Sequence, residues 1–541
     1  MRPAHAQRLI VQLANQWYLA KVPTFLRDAT GLVRTFSWYD ALILSLAVTG
    51  PTIFGISSQI GYVAPNGPGA DFVLSAVVGL AFMVPLGIVY YIFSSRMPRS
   101  GGDYIWLGRT IHPLVGFVAG WAMFISFISL LASASVTEPA VVIPDVAVAW
   151  GYTWNNPGLV NWGLGFANSQ TNLFLGTLLV VLIAVVIISL GPKIYSKIMI
   201  VLAAIIFLAT AIFIAAYAGA SNASFAAGIG TMTNGNVTYN GIIQQAQAAG
   251  ITFTPVNTAA TLLAIPFGVL LFNGFNYSVY VSGEVKNARR GMLWGVLIAL
   301  LICGVIDCIG LYFVVNSESY QFVQAAFGLA GQGKFPLPSP WSPLFVPAIL
   351  GNQYLSTFVD FGFLLFNFWW AAGLAMATSR YVFAFSFDRI LPTMFADIND
   401  RLHIPLKGTV LSFAIAVILA YIAVFTTYIG QLLNVVTIWT IVWVLIGIAA
   451  IMFPFVKKEM AMDLPGGRWL LPVFGLLTII GMGTTFYWSI TNPAIGPSTP
   501  SSAALLVVIF LVAVVIYGAR YYYYKGKGVD ISAVLKEIPP E

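Results

Sequence analysis

Apolar residues run along this chain in long, unalternating blocks separated by short polar stretches. Read in order, the blocks cover Trp38–Ile60, Phe72–Phe93, Pro113–Ala134, Thr171–Leu190, Ile198–Ala218 and an interrupted run from Ala259 to Gly283. They continue as Met292–Val315, Thr357–Phe385, Gly408–Tyr428, Leu432–Phe455, Trp469–Ile490 and Ala503–Tyr521. A helix needs about 20 apolar residues to cross a bilayer. Strands of a membrane barrel would instead alternate over segments of about 10 residues. The pattern therefore predicts an all-α polytopic membrane protein of twelve transmembrane helices.

Two of the twelve are interrupted. The first carries Ala47-Val48-Thr49-Gly50-Pro51-Thr52-Ile53-Phe54-Gly55. Pro51 has no N–H and its ring clashes with the preceding turn, so the helix breaks there. The sixth carries Phe272-Asn273-Gly274-Phe275-Asn276-Tyr277. In hydrocarbon a broken backbone is tolerated only where it is buried in protein or lines a water-filled cavity. A hinge proline and a packed glycine kink are the bland alternatives. Corresponding breaks five spans apart are what an inverted five-helix repeat produces, with a solute site between them.

Composition agrees with the pattern. Of 541 residues 59% are hydrophobic and 8% charged, with a mean hydropathy of +0.88. Soluble domains carry about 25% charged residues. The net charge of +7 reads as orientation rather than as affinity for nucleic acid. With the N-terminus inside and sides alternating, every one of the 25 Lys and Arg except Lys334 falls on the inner side. Positive residues collect on the cytoplasmic side, so both termini are expected in the cytoplasm of a cell-membrane protein. Arg380 and Arg520 lie near span ends, where such side chains snorkel inward. Cys303 and Cys308 do not face each other on one helix and imply no disulfide framework.

Residues 1–35 read as a cytoplasmic tail without a cleavable signal. A surface helix through Trp17, Tyr18 and Leu19 and a disordered tail both fit them. The remaining divisions are 36–255 for spans one to five, 256–456 for spans six to ten, 457–523 for the last two, and a tail at 524–541. Ser135–Gln170, Gly219–Asn257 and Asn316–Ser356 read as external loops. The second carries Asn222-Ala-Ser and Asn236-Val-Thr, which match glycosylation triplets.

Three stretches then point to a family. They are Pro98-Arg99-Ser100-Gly101-Gly102-Asp103-Tyr104 with Gly116-Phe117 and Gly120-Trp121; Asn273 to Asn276 through Glu284 to Arg290; and Ser379-Arg380-Tyr381 through Asp388-Arg389-Ile390-Leu391-Pro392. In this order and spacing they resemble the amino acid–polyamine–organocation superfamily, the amino acid permeases, over roughly residues 35–525. The resemblance implies the sodium-coupled leucine transporter fold. That fold is a 5+5 inverted repeat, here with two added helices, working by alternating access around a central site.

An amino acid offers a carboxylate and an ammonium. Half-helix N-termini suit the first, which singles out Thr49, Gly50, Pro51 and Thr52. Unpaired carbonyls suit the second, at Phe272, Asn273 and Gly274. Phe275, Asn276 and Tyr277 are placed to select the side chain, and Phe275 is the better candidate for a gate than Phe366, Phe368, Trp369 or Trp370. Many relatives carry an acid where Asn276 stands. Asn cannot balance a buried cation, which favours a neutral or zwitterionic amino acid over a polyamine or other organocation. The lysine that some proton-coupled relatives carry in span five is missing from Leu202-Ala203-Ala204-Ile205-Ile206. Thr378 and Ser379, with carbonyls near Ala47 and Gly50, fit a hard-oxygen cation site; the alternative is hydroxyls bonded back to their own helix. Asp307, in the middle of span seven, is a candidate proton relay or cation ligand, since carboxylates inside membranes are costly; a neutral packing residue is the alternative. Asp40 and Asp360, near span ends, are expected to be solvated.

The reading is a secondary transporter for amino acids, coupled to Na+ or H+ or working by exchange. No catalytic constellation, metal-ligand spacing or organic cofactor motif is present, so an enzyme is not expected. A channel would need a continuous polar pore, whereas the polar groups here gather at two breaks.

Overall fold

The computed structural model describes residues 31–426, 435–462, 464, 467–492, 497, 499–528 and 530–537. Within them the regular structure is helical, apart from one isolated bridge between Phe36 and Val285. Eleven helices are long and apolar enough to cross a membrane, counting Trp38–Asn66 once. The expected sixth span is a shorter apolar helix, Thr258–Leu271, continued after a turn by a 3₁₀ segment, Tyr277–Glu284. The turn expected between spans nine and ten and the surface helix expected near Trp17 lie outside the described residues.

Local sequence explains most helix starts. Asp71 accepts hydrogen bonds from the amides of Val73 and Leu74 and so caps Phe72–Arg96. Pro113, Pro192 and Pro500 open their helices, where a missing N–H costs nothing. Burial then ranks the spans. Of the most apolar window, 83% is buried in the first span and 72% in Gln353–Phe387, against 22% in Pro500–Lys525. The first and eighth spans are therefore central and the last is peripheral. Large apolar side chains such as Leu208, Ile418, Leu476 and Val515 are exposed on the outer helices, as lipid-facing residues are.

Packing between the halves is reciprocal. Phe72–Arg96 packs on Thr258–Leu271, as the helix Ala299–Glu318 and the π-helical turn before it, Leu293–Ile298, pack on the first span. Gln170–Ser189 packs on Gln353–Phe387, as Leu406–Phe425 packs on Pro113–Thr137. At the end of the bundle rich in Lys and Arg, a short helix Asp103–Thr110 bridges spans two and three. The last described residues dock on it. Ile531 and Leu535 are buried, and Arg109 Nε donates to the Glu537 carbonyl at 3.0 Å.

Four expectations need correction. The segment after Ala134 is not loop: the helix runs to Thr137, passes through a π-helical turn Glu138–Val142, and continues to Thr153. Its low charge let it stay helical and buried. The other two loops also carry helices, Asn222–Met232, Tyr239–Ala248 and Tyr320–Gly331. Asp360 is 1% exposed, because span eight begins at Gln353 and turns this residue inward. Arg380 does not snorkel; it is buried in a bidentate pair with Glu284. In addition, Asn222 Nδ2 donates to the Ser317 carbonyl and the Tyr239 hydroxyl, so the nitrogen a glycan would use is already engaged.

Candidate substrate site at the paired helix breaks

The first helix of span one ends at Thr49. Gly50 takes a left-handed conformation (φ 70°) and its N–H returns to the Leu46 carbonyl. Glycine meets that dihedral without steric cost. Pro51 and Thr52 are not helical, and a new helix starts at Ile53. Its first amides already have partners. The Ile53 N–H donates to Thr210 Oγ1 of span five at 3.3 Å, and the Phe54 N–H donates to Thr52 Oγ1. Thr210 was not foreseen, because nothing in its neighbourhood of sequence marks it.

The second break mirrors the first. Helix Thr258–Leu271 stops, Gly274 adopts φ 95°, and the chain resumes as a 3₁₀ turn at Tyr277. Here Gly274 is required by space as well as dihedral. A Cβ on it would lie 2.5 Å from the Thr49 nitrogen and 2.6 Å from the Val48 carbonyl carbon. The two interruptions thus touch, backbone against backbone. The Ser278 N–H reinforces the contact by donating to Ser45 Oγ at 3.1 Å.

Asn276 is 2% exposed and begins a chain of polar groups leading out of the break. Its Nδ2 donates to the Tyr280 hydroxyl, which donates to Asp103 Oδ2 at 3.0 Å. Tyr90 donates to the same oxygen and Tyr381 to Oδ1, at 3.2 and 2.5 Å. Burial pushes the Asp103 carboxyl up to about 6, although Tyr381, Tyr280 and Tyr90 all favour its ionised form. Next to it, Asp388 at the end of span eight accepts from both Tyr104 and Arg109. Asp103, Tyr104, Tyr381 and Asp388 all stand in the stretches that resemble the family, but the sequence does not show that they share one network. Its hydrogen-bonded partners lie up to 284 positions apart, and no local pattern reports that.

On the opposite side the break at Gly50 is covered by aromatic rings. The Phe366 ring stacks on Phe54 at 4.6 Å, and a Cβ on Gly50 would lie 2.7 Å from it. Phe363 and Trp341 extend the stack. Trp370 Nε1 donates to the Val48 carbonyl. Phe275, expected as a gate, is fully buried with its ring against Tyr90. Asn273 Nδ2 and N–H both donate to the Leu270 carbonyl, while its Oδ1 is buried without a donor among the described residues. The Gly274 carbonyl accepts from the Tyr277 N–H.

The Thr378 and Ser379 hydroxyls donate to the Leu374 and Met376 carbonyls of their own helix. Ser379 Oγ also accepts from Arg380 Nη1 at 3.3 Å. Ala47 is buried against Gly373, one turn and more before Thr378 on span eight. Asp307 is fully buried and lies beside Gly55, just beyond the first break.

Paired broken helices in a bundle whose described residues include eleven apolar helices of membrane-crossing length define the class: an all-helical polytopic membrane protein. Comparison with known proteins agrees. A family model described as amino acid permease matches residues 36–515, and the chain belongs to that family. It is similar to the methylthioribose transporter of Bacillus subtilis, 24% identical over 86% of this chain and 89% of that one. It is also similar to a branched-chain amino acid permease of Lactococcus lactis, 22% identical over 80% and 84% of the two chains. A glutamate/serine transporter of Bacillus subtilis is 21% identical over 71% and 67%.

Proposed function

We propose that the chain is a secondary transporter of neutral, zwitterionic amino acids, working by alternating access in the cell membrane with both termini in the cytoplasm. The observation that carries the reading is the contact between the two breaks, Gly274 against Val48 and Thr49, with uncharged Asn276 buried beside it. The substrate carboxylate goes to the N-terminal end of the half-helix at Thr52–Phe54, where the helix dipole favours an anion, and there it displaces the Thr210 and Thr52 hydroxyls from the Ile53 and Phe54 amides. The ammonium goes to carbonyls of Phe272–Gly274. For either group to enter, the Phe366–Phe54 stack must lift from Gly50. For it to leave, the network of Asp103 and its tyrosines must part. Both closures are in place together, the arrangement of an occluded carrier.

An organocation carrier is the second reading within transport, and Asn276 disfavours it. The test is reconstitution in liposomes. Labelled amino acids, a polyamine and methylthioribose are offered with sodium and proton gradients imposed separately. Saturable counterflow of a neutral amino acid supports the proposal; counterflow of only the polyamine or the thio-sugar overturns it.

A further inference from the structure

Asp307 has no hydrogen-bond partner among the described residues, at either carboxyl oxygen. It is fully buried in span seven. Burying an ionised carboxylate without a donor or counter-charge costs far more than leaving it neutral. The group also points somewhere specific. A Cβ on Gly55 would lie 3.2 Å from Asp307 Oδ1 and 2.1 Å from the Gly50 carbonyl oxygen. The carboxyl therefore sits against the turn of span one that opens after the break, at a residue with no side chain to cover it.

We infer that Asp307 is the proton-coupling group of this transporter, protonated while the span-one break is closed and deprotonated when water reaches Gly55. The inference rests on the transport reading above and names its driving ion. The only bond that changes is the carboxyl O–H. Its proton passes to water on the releasing side and is taken back from water on the other.

Neighbouring elements support this assignment. The titratable groups that interact with Asp307 are Cys303 and Cys308 on its own helix. Among the described residues of the first, second and fifth spans packed around it, no Lys, Arg, His or second carboxylate faces it. A proton is thus the simplest charge that can make the site neutral. A sodium ion held by Thr378 and Ser379 would sit beside a guanidinium, since Arg380 Nη1 donates to Ser379 Oγ at 3.3 Å. Motion at the breaks can reach Asp307 through span seven. Its π-helical turn packs on the first span and on the 3₁₀ segment of span six, with a Cβ on Gly295 only 2.6 Å from Ser278 Oγ. Such π turns recur at functional sites.

The experiment uses the full chain in liposomes. An inward gradient of one pH unit should drive up to about tenfold accumulation of the substrate by the wild type at one proton per molecule. Asp307→Asn should show no accumulation, while counterflow, which needs no net proton movement, continues at a reduced rate. Infrared spectra of the detergent-purified proteins provide a readout independent of transport: a protonated-carboxyl band present in the wild type and missing in Asp307→Asn. Accumulation retained by Asp307→Asn, a wild type driven by sodium and indifferent to pH, or no band lost on substitution would each overturn the assignment. A wild type lacking even counterflow would instead sink the transport reading beneath it.

Discussion

The pair between Glu284 and Arg380 gives the sharpest energetic prediction. Arg380 Nε and Nη2 lie 2.6 and 2.8 Å from Glu284 Oε1 and Oε2, and both side chains are 1% exposed. The bidentate geometry ties the far end of the broken sixth span to span eight. The Glu284 carbonyl meanwhile accepts from the Phe36 N–H, so one residue joins three parts of the chain. Glu284→Gln keeps the shape and removes the charge, leaving a guanidinium buried without its counter-ion. Breaking a buried pair in this way costs about 3–5 kcal/mol. Replacing both partners with apolar residues of similar volume, Glu284→Leu with Arg380→Met, removes the stranded charge and is often neutral or better. Unfolding in mixed micelles of increasing dodecyl sulfate content measures each variant. The reasoning is refuted if Glu284→Gln costs under about 1 kcal/mol or if the double variant loses as much as the single one.

Gly274→Ala should abolish transport, because its methyl would meet the backbone of Val48 and Thr49, which cannot swing aside as a side chain can; near-normal counterflow would disprove the contact. Asn276→Ala should raise KM by about tenfold, the loss of a buried hydrogen bond, and an unchanged KM would remove it from the pocket. Asp103 sets a pH dependence. Its folded-state carboxyl titrates at about 6, above its ordinary 3.8, so the folded protein holds this proton more tightly than the unfolded chain. Stability from this group is full below about pH 4 and falls as pH rises toward 6, by about 3 kcal/mol in all. Asp103→Asn should lose that slope when melting is followed from pH 4 to 7, and a slope unchanged in the variant counts against it.

The chain's own order of residues determined a good deal. Apolar blocks of membrane length, one-sided Lys and Arg, and a Gly-Pro and an Asn-Gly interruption are local facts. The physics that reads them, hydrocarbon thickness and the cost of a broken backbone, needs no third dimension. Both breaks fell where Gly50 and Gly274 placed them. What only the folded structure decided was company. That Gly274 rests on Val48 and Thr49, that Arg380 is paired rather than reaching for water, and that Asp360 is buried depend on which helix faces which. So does the gathering of Tyr90, Asp103, Tyr280 and Tyr381 around one carboxylate. Inside a bilayer every helix face is apolar enough to meet either lipid or protein, so hydropathy cannot tell the two apart. Packing of small residues and the pairing of buried polar groups make that choice, and both are properties of distant segments brought together.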